Sequence, residues 1–273
     1  DYEHMKKAIE AGAGGVVAKS VCFSPQLANS YDHARWIVID EYGKPCKRGE
    51  IPRTNYFYGR GGIPLEPDGW IEELQKTQKL ADQHDCVLIG SVATGPIDKI
   101  VEAAVRMEKA GIRIIEIDAG CPQAGQLTTD SSKELVRSSE FAREIAENVV
   151  KAVKVPVIYK CAAEDPELLR TAAAVVDAGI DAVTLINRYG TFMVDIENGC
   201  PHIDSWAAAG GPWMLPLSLK WVSRFNQAYP NTTIFGSNGV AHWSDAVQFI
   251  MSGATFACMC TSLMLNGYNS MSK

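Results

Sequence analysis

Apolar residues along the chain gather into short runs, and the stretches between them show helical spacing. GGVVAKSV at 14–21, CVLIGSVA at 86–93, IEID at 115–118, VPVIYKCA at 155–162, DAVTLINR at 181–188, TIFGSNGV at 233–240 and TFACMCTS at 255–262 are largely apolar, and most end in polar residues. Runs of this length predict strands buried on both faces. Helices are predicted between them. The first spans residues 2–11, capped by Asp1 and closed by Gly12, and the second spans 70–84. A third opens at Pro96, puts Ile100, Ala104 and Met107 on one face and stops at Gly111. Others are expected over about 132–154, over 166–178 with Gly179 as the stop, and over 215–228, followed by a short helix capped by Ser244.

Two segments break this rhythm. Residues 22–69 are rich in Gly, Pro and Tyr and show no clear period, and residues 189–214 form a second long interruption. Both read as long loops, either functional or simply solvated insertions.

Strand–helix alternation with apolar strands implies a parallel sheet covered by helices. Seven strands can be counted, no strand precedes the first helix and no full helix follows the last strand. The expected fold is therefore α/β, a (β/α)8 TIM barrel lacking its first strand and last helix, as a single domain over residues 1–273. An open doubly wound sheet is the rival, but no GxGxxG follows the first strand.

Composition narrows the function classes. Hydrophobic residues make up 47% of the 273, enough for a sizeable core, and the net charge of −6 argues against a broad nucleic-acid face. No run of 18 apolar residues is present, so no membrane span is expected. Eight scattered cysteines without a CxxC pair suggest reduced thiols and a cytoplasmic setting, with no zinc or iron–sulfur ligand spacing and no metal expected.

In a barrel, chemistry collects at the carboxyl ends of the strands. Those ends carry Lys19 and Ser20, then Ser91, Asp118 and Cys121, then Lys160 and Asn187, the GSNG turn with Gly236, Asn238 and Gly239, and finally Cys260 and Thr261. Two lysines closing apolar strands suit an anionic or electron-rich ligand, or else structural ion pairs. The GSNG turn before a helix has the form of a phosphate site, or of an ordinary turn. Cys121 lies in a loop before Pro122. A thiol titrating near about 8.5 can exchange protons there, or be inert.

Taken in order, these motifs resemble the dihydroorotate dehydrogenase and dihydropyrimidine dehydrogenase family. IEIDAGCPQ at 115–123 resembles its E-L-N-L-S-C-P-N strand, AKS at 18–20 its T-K-S, and IYKCA at 158–162 its V-K-L, with Lys160 in the lysine place. LIN at 185–187 is similar to its V-N strand, and GGPWMLPLSLKWV at 210–222 to its G-G-x-x-x-x-P-x-x-L segment. The stretch at 234–263 is similar to the closing I-I-G-x-G-G-I block, and order and spacing hold from about residue 11 to 263.

The resemblance implies an FMN-dependent oxidoreductase of the CH–CH class acting on a carbonyl-activated, dihydropyrimidine-like or other unsaturated substrate. Lys160 would face the pyrimidine edge of the flavin, with Lys19 and Ser20 touching it and Gly211 lining it. The phosphate would rest on backbone at Asn238, Gly239, Cys260 and Thr261. Ser91, Asp118, Asn187 and Gly236 complete the implied cofactor set. Cys121 matches the acid/base cysteine, exchanging a proton at the carbon next to the one that exchanges hydride. The substrate side comprises Asp118, Gln123, Asn187 and Arg188.

This chain departs from the family at several of these positions. Asp118 replaces Asn in the cysteine strand, Gln123 replaces the Asn after Cys-Pro, and Arg188 stands where Ser or Thr is usual. A guanidinium there favours an anionic group or makes a surface ion pair. Asn238 and Cys260 replace glycines near the phosphate.

The implied partners are a small-molecule substrate, an electron-transfer subunit with iron–sulfur or FAD, and a second copy in a homodimer, with neither nucleic acid nor membrane. Three other readings remain: a dihydrouridine-synthase-like enzyme, a cofactor-free Schiff-base lyase using Lys160, and a non-catalytic flavin-binding subunit of a larger redox complex. Among the histidines only His202, with Asp204, could line a site.

Overall fold

The computed structural model describes residues 2–21, 35–40, 44–46, 56–60, 67–93, 95–120, 138–203 and 207–272. Cys121, Gln123, Asp1 and Asp204 lie outside the described residues.

Each of the seven apolar runs contains a strand: β1 (Gly15–Val17), β4 (Val87–Ala93), β5 (Ile115–Asp118), β6 (Val157–Lys160), β7 (Ala182–Leu185), β12 (Thr233–Ser237) and β13 (Phe256–Cys258). They form one parallel sheet in the order β1-β4-β5-β6-β7-β12-β13. The sheet curls into a half-barrel, a partial TIM barrel. On its edge strands β1 and β13 the inner-face side chains Val17 and Phe256 are exposed.

The helices lie outside: α1 (Tyr2–Glu10), α2 (Pro67–Ala81), α3 (Ile97–Lys109), α4 (Ser139–Ala152), α5 (Leu168–Asp177), α6 (Leu215–Ala228), α7 (Trp243–Met251) and the short α8 (Thr261–Asn266) after β13. Their apolar stripes bury Met107, Ile145, Val149, Val175, Phe225 and Phe249 against the outward strand residues Ile117, Tyr159, Val183 and Ile234. Burial of this kind contributes about 1.5–3 kcal/mol for a large apolar side chain.

Two local expectations change. The second helix lies three residues upstream of the expected 70–84, because the chain turns at 82–85, with Asp85 at positive φ and His84 in the turn. The N-cap of α7 is His242, not Ser244: a reciprocal capping box with Asp245 fixes the cap two residues earlier.

The two interruptions are not merely loops. The first supplies β2 (Arg35–Ile39) and β3 (Tyr56–Arg60), the second β8 (Tyr189–Thr191) and β11 (Ala207–Gly210). Together they make one four-stranded antiparallel sheet in the order β2-β3-β11-β8. A hairpin of β9 (Val194–Asp195) and β10 (Cys200–Pro201) extends the second segment. Ile39, Ile203 and Ala207 give this region a small core of its own. Arg188, just past β7, ties the sheet to the barrel: its guanidinium lies 4.8 Å from the Trp36 ring centroid and donates to the Ala208 carbonyl at 3.4 Å.

Candidate active site

Parallel register decides which side chains meet. Ser91, Glu116, Ile158 and Ala182 are in-register neighbours, and Ala93, Asp118, Lys160 and Thr184 form the next row toward the carboxyl edge. In-register residues of a parallel sheet share a face, so the polar members of both rows converge inside the half-barrel. Beside Glu116 in its row Ile158 and Ala182 are apolar, and they pack with Ile89, Ile114 and Phe235 as one apolar cluster.

Glu116 is the centre of this cluster and is only 2% exposed. One carboxylate oxygen accepts from the Lys160 ammonium at 3.5 Å and the Ser91 hydroxyl at 3.4 Å, the other from the Thr184 hydroxyl at 3.1 Å. Burial pushes its carboxyl above the usual range, while the Lys160 charge opposes the shift. Lys160 keeps 21% of its side chain exposed, toward the strand ends. Burial alone would lower its pKa, but the carboxylates of Glu116 and Asp118 outweigh that and hold it above the usual lysine range. Lys160 is therefore a permanent cation at neutral pH.

Asp118 accepts from Ser20 at 3.1 Å on one oxygen and from the Asn187 side-chain amide at 2.9 Å on the other. The Ser20 and Ser91 hydroxyls lie 2.9 Å apart. Asn187 is held further by its backbone N–H to the Cys161 carbonyl and by its side-chain oxygen, which accepts from the Arg188 backbone. Gly120 lies directly beneath it: a Cβ there would meet Asn187 Cβ at 2.6 Å and the Cys161 carbonyl at 2.7 Å. Glycine thus lets the chain leaving β5 toward position 121 pass against β7.

A second polar region lies at the ends of β12 and β13. Ser237 and Asn238 side chains both donate to the Ile186 carbonyl. Asn238 and Gly239 have φ of 68° and 104°, and the backbone N–H groups of Gly239, Cys260 and Thr261 have no acceptor among the described residues. Unsatisfied backbone donors gathered in one place favour an anion. Burial, and secondarily the Glu116 carboxylate, push the nearby Cys258 thiol up to about 12. Gly236 serves packing: a Cβ there would strike the Phe249 ring of α7.

The structure thus brings together Ser20, Ser91, Asp118, Lys160 and Asn187, and separately Asn238, Gly239, Cys260 and Thr261. Lys19 is exposed beside Ser20, and Gly211 is buried ahead of the 3-10 turn Pro212–Met214. His202 is largely buried, 4.0 Å from Asp195 in the β9–β10 hairpin. Reading strand ends alone misses Glu116 and Thr184. The signal for Glu116 was present, a carboxylate inside an apolar strand, two residues from Asp118 and hence on the same face.

A family model for dihydroorotate dehydrogenase matches residues 67–273. The chain belongs to the dihydroorotate dehydrogenase family. Members of this family are FMN-dependent flavoproteins, oxidoreductases acting on CH–CH bonds in pyrimidine metabolism. The chain is 25% identical over 271 residues to the "Dihydroorotate dehydrogenase B (NAD(+)), catalytic subunit" of Methanocaldococcus jannaschii, covering 98% of this chain and 81% of that one. The protein of the same name from Thermoplasma volcanium is 26% identical over 264 residues, covering 96% and 79%. A crystal structure of dihydroorotate dehydrogenase from Eimeria tenella in complex with ferulenol superposes with a TM-score of 0.71 at 16% identity, covering 97% of this chain and 74% of that one, a likeness of fold. The donor set found in this dihydroorotate dehydrogenase family chain fits the family cofactor. An ammonium suits the electron-rich edge of a flavin, and the orphan N–H groups at β12 and β13 suit its phosphate. No helix is long and apolar enough to cross a membrane, and no metal-binding group of His, Cys, Asp or Glu occurs, both among the described residues.

Proposed function

We propose that this chain is the FMN-binding catalytic barrel of an oxidoreductase acting on dihydroorotate or a related carbonyl-activated substrate. The supporting observation is the permanently charged Lys160, set among Ser20, Ser91, Asp118 and Asn187 at the carboxyl edge. Residues 1–273 form one domain in this reading, with the antiparallel sheet as its cap.

When bound, FMN supplies the hydride chemistry. Lys160 presents positive charge to the edge of the flavin that becomes electron-rich, with Lys19, Ser20, Ser91, Asp118, Asn187 and Gly211 around it. Backbone N–H groups of Asn238, Gly239, Cys260 and Thr261 hold the phosphate, and Gly236 serves by letting α7 close behind them. Cys121, next in sequence after Gly120, exchanges a proton at the carbon beside the carbonyl. Asp118 orients Asn187 toward the substrate, Gln123, two positions after Cys121, joins them, and Arg188 adds charge favouring a carboxylate-bearing substrate. An electron-transfer subunit with iron–sulfur or FAD completes the path in this reading, in keeping with relatives named as catalytic subunits. In this reading the catalytic chain also pairs with a second copy of itself as a homodimer.

The test is anaerobic reduction of the bound flavin by dihydroorotate, followed by reoxidation with orotate, other pyrimidines, cyclic enones and unsaturated acids. Rapid exchange with the orotate pair is expected. Cys121→Ser should slow flavin reduction by about 10²–10⁴-fold without loss of FMN. Unchanged turnover in that variant would remove Cys121 from the acid/base role.

A further inference from the structure

Glu116 has no role in the mechanism above, yet it is the most deeply placed charge in the site. Three donors from three different strands converge on it: Ser91 on β4, Lys160 on β6 and Thr184 on β7. A carboxylate this buried stays ionised only through such partners. It lies one row below the strand ends, on the side of Lys160 away from the open edge. We propose that Glu116 is the counter-charge of Lys160, and that through Lys160 it sets the reduction potential of the bound flavin. The inference rests on Lys160 facing the flavin, as in the proposed function.

Glu116 and Lys160 form a nearly neutral buried pair with its positive end toward the open edge. Removing the negative end leaves an uncompensated ammonium, which favours the electron-rich reduced flavin. Removing the positive end leaves a buried carboxylate whose charged form burial disfavours. The two groups therefore do not act additively.

The experiment is a redox titration of the holoenzyme at fixed pH without substrate, comparing Glu116→Gln, Lys160→Gln and the double variant. Glu116→Gln should shift the flavin midpoint potential upward, Lys160→Gln downward, and the double variant should match Lys160→Gln. A potential that is unchanged or lower in Glu116→Gln overturns the proposal, and so does an upward shift of equal size when Lys160 is absent. A purely structural ion pair would change the unfolding midpoint and leave the potential alone. Should Glu116→Gln fail to retain FMN, Thr184→Val removes one donor to the same carboxylate without changing charge. Its potential should shift upward by less, and more so as the pH falls, whereas an unchanged potential overturns the proposal. If Lys160→Gln leaves both FMN affinity and potential unchanged, it is the placement of Lys160 at the flavin that fails.

Discussion

Glu116 and Gly236 show two ways in which one residue matters here. Glu116→Ala would leave the Lys160 ammonium without its hydrogen-bonded carboxylate, with Asp118, itself bonded to Ser20 and Asn187, as a remaining nearby negative charge. Breaking a buried pair on one side costs about 3–5 kcal/mol, so a clear drop in the urea midpoint is expected for Glu116→Ala and a smaller one for the isosteric Glu116→Gln. Gly236→Ala would push a methyl into the Phe249 ring. Overpacking of this kind costs about 1–3 kcal/mol, and Phe249→Leu in the same chain should recover part of the lost melting temperature. Neither effect could be read from residue type alone. Gly236 resembled a phosphate-turn glycine, and only the position of α7 shows its packing role.

Among the elements, α7 illustrates why boundaries shift. Asp245 is fully buried and its carboxylate accepts from the backbone N–H groups of Ala241 and His242 at 3.0 and 2.9 Å. Asp245→Ala should therefore cost about 1–2 kcal/mol, measured by chemical denaturation, and should loosen the segment that follows the GSNG turn. Sequence pattern placed the helix correctly but chose Ser244 as its cap, because serine is a common cap and histidine is not. The strands were legible because a buried parallel strand is a local apolar run. The antiparallel cap was not: β3 pairs with β11 and β11 with β8, joining residues near 58 to residues near 208 and 190. No local window contains that pairing.

The whole molecule responds to pH through partly buried groups near its carboxyl edge. The Cys258 thiol, ordinarily near 9.0, is pushed up to about 12. Above 9.0 the unfolded chain loses this proton while the folded protein keeps it, so the folded state binds more protons and stability falls as pH rises. The Cys258 contribution is thus intact below 9.0 and lost progressively toward 12. Lys160 acts in the same direction at still higher pH, since its folded value lies above the usual lysine range. Thermal melts across the alkaline range should show this decline, and Cys258→Ala should flatten its first part.

The periodicity of the sequence determined the seven-stranded parallel sheet, its helices and the carboxyl edge where polar residues gather. These follow from local hydrophobic pattern and from the right-handed connection of parallel strands. The ordered motifs also carried the family resemblance. Tertiary structure alone decided that Asp118 orients Asn187, that Arg188 clamps a sheet built from two distant segments, and that Glu116 holds Lys160 charged. Register between strands far apart in the chain sets those contacts, and register is a property of the assembled sheet, absent from any single stretch of sequence.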